Sequence, residues 1–520
     1  MNLNITHFHK VLILSLMLML ITPSVHVQAA ETKPQVQVLL LYDSLAKHTA
    51  QEGNVEALKR MLAAYGVQVT FTSIDQYVSG LITKFNKVIY IQNAGDLSIT
   101  NPDYLHDMEG YTGDYMHIGK QIPAKLQRQL GVQIATTLPS SIQFQIDRFS
   151  QTITNDQSLT YMVSAIGTTY GSLISDSTEL HAPFAVCNGS YAYIPYYQQG
   201  NLSELMMAYP LKDWLGVTRE AQTYLLFKVI YPFSDLSLLK QLADQLFDAG
   251  IPFMVSARPV FENTDYPAML RYLEALKYVQ AKNGTILINA PVVQPTISQE
   301  RPLKEQMESF IDVLADYGIA PLGIGAEMYW SYDRLYGSSG MGFFNSAILF
   351  PDETIRHREE TPTAYSFAFS GFSLSAENTQ EINYSGITSP QLPMDTMLTY
   401  DFIDDETKLA QLVDSIRNSW RLFGDYKNES HTVQTSKNTI VSNQGILTIN
   451  QQVIDLNEAP KIIETNYDYV EKQKQSFATL FNIQNKIFAI LILISLVVFG
   501  FLLIIGARLY KRKYKNQRRQ

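Results

Sequence analysis

Residues 35–42 form an almost unbroken apolar run, the pattern of a strand buried on both faces. After the polar stretch 43–54, Val55, Leu58, Met61, Leu62 and Tyr65 recur at helical spacing, and shorter strand patterns follow at 67–74 and 87–92. Strand, loop, helix and strand in that order predict an open parallel α/β sheet over residues 31–150, with its ligand crevice at the carboxyl ends of the strands. The stretch 151–219 reads as a β-rich connection, with Tyr191, Tyr193, Tyr196 and Tyr197 close together. From about residue 223 the alternation restarts more regularly: strand 224–230, helix 236–249, strand 252–257, helix 267–282, strand 284–289, helix 302–317. Gly250, the Asn283-Gly284 pair and Gly318 mark the helix ends. Repeated β-α units of this length predict a closed or partly closed β/α barrel over 220–430, whose chemistry would sit at 229–231, 257–259, 289–291 and 327–330. A β-hairpin addition at 431–460, built around Asn443-Gln444-Gly445, leads to a charged stalk at 461–486.

The two ends change the picture from a soluble α/β protein to an anchored one. Lys10 precedes an eleven-residue apolar run at 11–21, Pro23 interrupts it, and Val27-Gln28-Ala29 offers small residues for cleavage, so residues 1–29 read as a signal peptide. An uncleaved anchor is the alternative. Residues 487–507 are 21 consecutive uncharged positions, enough for one transmembrane helix at about 1.5 Å per residue. Arg508, Lys511, Arg512, Lys513, Lys515, Arg518 and Arg519 follow with no acidic residue among them, which places the tail 508–520 in the cytoplasm and the bulk of the chain outside the cell membrane. The tail either faces anionic lipid or recruits a partner.

Between the signal peptide and the tail, 32 basic residues face 49 acidic ones, a net charge near −17. Such a field disfavours nucleic acid as a ligand and tolerates neutral or cationic polymers. The single cysteine, Cys187, has no internal disulfide partner, so the fold rests on the core that a 46% hydrophobic chain of 520 residues supplies.

Candidate chemistry in the first domain is sparse. The loop 42–49 carries Ser44, Lys47 and Thr49 where flavodoxin-like and amidotransferase-like domains hold ligands. Without a Gly-rich phosphate loop it reads as either a phosphate contact or a purely structural loop, and no cofactor is implied. His106, Asp107, Asp114 and His117 invite a metal reading, but no two ligands share a short helical spacing, and a solvated loop over 93–119 is the simpler expectation.

In the barrel region three stretches come in order: Tyr231-Pro232-Phe233-Ser234-Asp235; Gly250-Ile251-Pro252-Phe253 with Pro259 and Asp265-Tyr266-Pro267-Ala268-Met269; and 284–291, ending Asn289-Ala290-Pro291. Over about 220–350 they resemble an uncharacterised bacterial branch of the polysaccharide deacetylase (NodB-like) superfamily. The resemblance implies a distorted β/α barrel of polysaccharide deacetylase type. It also implies removal of acetyl groups from amino sugars with a divalent metal held by an Asp and two His, beside a catalytic Asp base and a His acid. In that branch an acidic pair precedes Tyr-Pro-Phe and a His precedes Ala-Pro; here those positions are Lys228 with Val229, and Asn289. An ammonium replaces a metal-binding carboxylate, and an amide replaces an imidazole. Beyond the signal peptide only His48, His106, His117, His181, His357 and His431 remain, with no His-x-x-x-His pair, so no metal is expected.

A sugar-binding cleft is the function that survives those substitutions. Tyr231, Tyr329, Trp330 and Tyr332 fall at or beyond predicted strand ends as faces for pyranose rings, and Asp235, Glu262, Asp265, Glu327 and Asp333 as partners for hydroxyls or amines. Each has a plainer role open to it: core packing for the aromatics, helix N-capping for Asp235, Asp265 and Asp333. The glycines at 337–342 suggest a mobile loop over the barrel mouth. The sequence therefore points to a membrane-anchored, extracellular, deacetylase-like pseudoenzyme that binds a polysaccharide of the envelope or exopolysaccharide. Its alternatives are an active deacetylase or a glycoside hydrolase using Asp235 and Glu327, and a scaffold for polysaccharide synthase or export proteins. The orientation is testable. Protease added to intact cells should digest the bulk of the chain and spare an epitope placed after Gln520; loss of that epitope would reverse the topology.

Overall fold

A computed structural model describes residues 36–95, 97–291, 300–352, 361–377, 382–385, 391–419, 421–456 and 477–517. Residues 1–29, His357 and the first part of the stalk lie outside these. The chain forms two compact units, Met1–Ile463 and Glu464–Gln520.

In the first unit the expected parallel sheet is present: β1 (Gln37–Tyr42), α1 (Asn54–Ala64), β2 (Gln68–Ser73), β3 (Lys87–Ile91), α2 (Pro102–Gly110), β4 (Asp114–Ile118) and α3 (Ala124–Leu130). It does not stop at residue 150. β5 (Gln133–Thr137) pairs apart with β8 (Leu159–Ser164), while β6 (Ser141–Ile146), β7 (Phe149–Thr154), β9 (Thr168–Ser175), β10 (Leu180–Asn188) and β11 (Tyr191–Ile194) extend the sheet. The strand order is β7-β6-β9-β10-β11-β4-β3-β1-β2. From β2 to β11 it is parallel, and beyond β11 antiparallel. The stretch 151–219 is thus the second half of one mixed sheet, not a separate connection; it ends in α4 (Leu202–Leu215). The 93–119 segment is likewise not a solvated loop. It contains α2, started by the Asn101 side chain accepting from the amides of Asp103 and Tyr104, and the buried strand β4.

The barrel closes with seven parallel strands: β12 (Thr223–Ile230), β13 (Phe253–Ala257), β14 (Gly284–Asn289), β15 (Pro321–Glu327), β16 (Ser346–Phe350), β17 (Phe369–Ser375) and β19 (Thr396–Asp401). The short β18 (Asn383–Tyr384) leaves the barrel and pairs with β7. Helices α5 (Leu236–Asp248), α6 (Pro267–Ala281), α7 (Glu300–Asp316) and α8 (Glu406–Asn418) follow β12, β13, β14 and β19. β20 (His431–Gln434), β21 (Thr439–Asn443), β22 (Ile446–Ile449) and β23 (Gln452–Val453) make a four-stranded meander, larger than the expected hairpin. It plugs the amino-terminal end of the barrel. Tyr426 and His431 stack at 4.0 Å and meet Phe369 edge-on at 5.4 and 5.7 Å.

No described α-helix directly follows β15, β16 or β17, and α1 of the first sheet packs on β17 instead. Arg60 on α1 is buried there. It donates to Glu204 on α4 at 3.1 Å and to the Ser373 carbonyl on β17 at 3.2 Å, with its guanidinium 4.9 Å from the Phe372 ring. Residues 361–365 run antiparallel to the outer edge of β2, with the Phe71 amide donating to the Pro362 carbonyl and Ala364 to Val69. Sheet and barrel therefore share one core. Replacing Arg60 with Met should cost roughly 3 kcal/mol or more in urea unfolding, because it leaves the Glu204 carboxylate buried and unpaired; adding Glu204→Leu should recover much of the loss.

In the second unit α9 (Phe477–Gln517) is one helix. Its segment Lys486–Lys511 is long and apolar enough to cross a membrane, and the apolar side chains along it are exposed.

Candidate functional site

The carboxyl ends of the barrel strands bring together Lys228, Tyr231, Asn289 and Glu327. At the end of β12 the register with β13 shifts between Phe227 and Ile230, and Val229 takes φ of 69°, a costly conformation for a β-branched residue. Lys228 is held by the neighbouring strand: its Nζ lies 2.9 Å from Asp401 Oδ1 and 5.7 Å from the Phe350 ring centroid. Phe350, buried at the end of β16, lies against Gly325 on β15, where an added Cβ would fall 2.6 Å from its ring. An aromatic side chain and an ammonium thus occupy the mouth. Asn289 is buried at the end of β14, in register with Gly325.

Arg258 braces the adjoining loops. Its backbone amide donates to the Ile230 carbonyl, its Nη1 donates to the Ala290 carbonyl at 2.8 Å, and its guanidinium lies 5.7 Å from the Tyr231 ring. Tyr231 stacks on Phe233 at 4.7 Å and 15°, and Phe233 is 82% exposed. This ring pair is a flat apolar surface facing solvent. The sequence pattern contained Arg258, Phe350 and Asp401 without assigning them a site role, since each depends on a neighbour from a different strand, and it held Phe233 only as part of the 231–235 motif.

The other expected contacts are placed differently. Tyr329, Trp330 and Tyr332 are buried in the turn after β15: Trp330 stacks on Tyr336 at 4.8 Å, and Tyr332 meets Phe71 of the first sheet edge-on at 5.0 Å. Their faces are spent on packing, not offered to a ligand. The glycine cluster is no mobile loop either. Tyr336–Met341 is a tight π-helical turn, largely buried, and a Cβ on Gly340 would sit 2.4 Å from the Trp330 ring. Asp235 caps α5, accepting from the Ser237 hydroxyl and from the amides of Leu238 and Ser237, which lowers its pKa. Asp333 likewise accepts from the amides of Leu335 and Tyr336. Glu262 and Asp265 are exposed on the loop before α6. Asp235 follows β12 and Glu327 ends β15, three strands away in one direction round the barrel and four in the other, and the Asp235 carboxylate is engaged by its own helix.

Among the described residues no cluster of three or more His, Cys, Asp or Glu is arranged to hold a metal ion. Asp107 accepts from the Tyr77 hydroxyl and the Gly80 amide, Asp114 pairs with Lys87, and His106 is exposed. His117 is fully buried on β4 between Tyr90 and Tyr193. At the opposite end of the unit His431 touches Ser346 and the Tyr426 carbonyl.

No protein-family model matches the chain. No curated protein matches it. Among solved structures it is similar to a family 4 carbohydrate esterase from Bacillus anthracis, at 13% identity and a TM-score of 0.24, over 40% of this chain and 81% of that one. It is also similar to a peptidoglycan N-acetylglucosamine deacetylase, at 12% identity and a TM-score of 0.24, over 40% of this chain and 86% of that one. At such scores no residue role transfers from either protein.

The buried histidines give a pH dependence. Burial lowers the pKa of His117 to about 3 and that of His431 to about 4, the latter against the bond to the Tyr426 carbonyl. The unfolded chain takes up these protons near pH 6.5 and the folded one does not. Stability should therefore fall as pH drops below 6.5, by up to about 1.4 kcal/mol per unit for each ring. His117→Phe should remove one of the two slopes between pH 6.5 and 4 in denaturant titrations against the parent protein.

Proposed function

We propose that this is a membrane-anchored, extracellular glycan-binding protein built on a deacetylase-like barrel that has lost its metal chemistry. The observation that carries the reading is the Lys228–Asp401 pair over Phe350. Where the family resemblance calls for a carboxylate to hold a divalent cation, the chain puts an ammonium paired with Asp401 and near the Phe350 ring. An ammonium has no lone pair to offer a cation, and the Asn289 amide is a poor substitute for an imidazole ligand. What the mouth retains is an exposed stacked pair, Tyr231 on Phe233, beside the Arg258 guanidinium. Aromatic faces next to fixed hydrogen-bond donors suit the apolar face and hydroxyl rim of a pyranose.

The α9 helix gives the setting. With its basic end in the cytoplasm, the barrel would meet polymer at the outer membrane surface, in keeping with a role in envelope or exopolysaccharide metabolism. The parallel strand order β2-β1-β3-β4-β11 supports reading this half as flavodoxin-like, joined here to an antiparallel extension.

Purified protein incubated with partially acetylated amino-sugar polymers and added zinc, cobalt or nickel should release no acetate above background. It should nevertheless retain glycan on an affinity gel, and Tyr231→Ala with Phe233→Ala should weaken that retention about tenfold, equivalent to ~1.4 kcal/mol. Metal-stimulated acetate release would overturn the loss of catalysis, and retention of no glycan would overturn the binding role.

A further inference from the structure

A cleft of about 710 Å³ opens on the first sheet, at the carboxyl ends of β1, β3, β4 and β11, and is closed on its far side by residues 151–160 and the loop 195–201. Its volume falls within the roughly 300–1,000 Å³ usual for small-ligand sites. β2 lies on one side of β1 and β3 on the other, so the cleft sits where the strand order reverses, the general location of ligand crevices in open α/β sheets.

The rim is pinned by hydrogen bonds among its own loops. Asp43, at the end of β1, accepts from the backbone amides of Ser44, Asn93 and Ala94, and the buried Asn54 amide donates to Asn93 Oδ1 and the Tyr197 carbonyl. Gly119 has φ of 128°, and a Cβ there would come 2.6 Å from the Cβ of Gln92. Ala46 and His48 both take positive φ, 49° and 65°. Two non-glycine residues held in left-handed conformations within one short loop are strain that the surrounding bonds sustain.

The lining offers donors more than acceptors. Gln151 Oε1 already accepts from the Leu202 amide and Gln198 Oε1 from the Tyr196 hydroxyl, both at 2.6 Å, which leaves their amide hydrogens as the groups presented. Lys47 and Lys120 line the same cleft, both exposed and neither in an ion pair among the described residues, whereas among the described lining residues Asp156 is the one carboxylate. In an extracellular portion with a net charge near −17, this is a local reversal of sign.

We propose that this cleft binds an acidic sugar, a hydroxyl-bearing ring carrying a carboxylate or phosphate, with the anionic group seated between Lys47 and Lys120. The choice of a sugar rests on the glycan-binding reading above; the choice of charge rests on the cleft alone. The site is separate from the barrel mouth, so a polymer segment can engage both.

The test uses the full chain in detergent micelles and isothermal titration with three probes: a tetramer of galacturonic acid, glucose 6-phosphate, and a neutral tetramer of N-acetylglucosamine. One acidic probe should bind at least tenfold more tightly than the neutral one, and which of the two does so separates a carboxylate ligand from a phosphate one. Lys47→Gln with Lys120→Gln should weaken that binding about tenfold or more and flatten its salt dependence. Asp156→Asn should strengthen it several-fold. All three positions are exposed, so folding is not at issue. Equal binding of acidic and neutral probes, or an unchanged affinity in the lysine double variant, would overturn the assignment while leaving the glycan-binding role standing. Failure of every probe here and of glycan retention at the barrel would remove both.

Discussion

The seven-stranded barrel is covered in part from outside itself, because no described α-helix directly follows β17. That cover comes from α1, more than 300 residues earlier in sequence, and Arg60 fixes it by reaching the Ser373 carbonyl, the Phe372 ring and the Glu204 carboxylate together. A buried guanidinium is tolerated only when its hydrogen bonds and charge are answered, and here the answers come from two elements, β17 and α4. The antiparallel pairing of 361–365 with β2 and the contact of Tyr332 with Phe71 extend the same seam. The consequence is functional. The barrel mouth and the cleft on the first sheet belong to one compact unit, so two candidate contact surfaces are held on one rigid frame.

At the mouth, the strained Val229 is informative beside the charge on Lys228. A β-branched residue with positive φ costs about 1–2 kcal/mol, and such strain collects where a backbone is shaped for a site. The bulge in β12 thus keeps the form of a functional strand end while its side chains are those of a closed one. Lys228 is satisfied by Asp401 and Phe350, and Arg258 ties the loops below it. On the proposed reading the chemistry left over is recognition by rings, guanidinium and amides.

Much of the scaffold was legible in the sequence because it is local. The strand 284–289 and helices starting at Leu236 and Pro267 follow from apolar periodicity, glycine stops and proline starts, and the apolar run near the carboxyl end becomes the exposed stretch of α9. The continuation of the first sheet through β6–β11 was not legible, since antiparallel pairing across distant segments leaves no mark in a local window. The aromatics at 329–332 misled for a related reason. Residues just past a strand end look available until the π-helical turn at Tyr336–Met341 folds over them, and only the close approach of Gly340 to Trp330 shows why glycine is there. Lys228 and Asn289 were visible as departures from a motif; Asp401 and Phe350, which complete the arrangement, come from strands remote in sequence. The cleft was foreshadowed only by the loop 42–49. Its other walls lie at 118–120, 151–160 and 195–201, too scattered to form a pattern.

Whether an ammonium has taken the place of a metal at the barrel mouth is tested most directly by elemental analysis of protein purified from its own membrane without chelators. No divalent transition metal above trace amounts per chain should be found, with or without zinc added and then dialysed away. One tightly held equivalent, lost when Asp401 or Glu327 is replaced by Ala, would contradict that replacement.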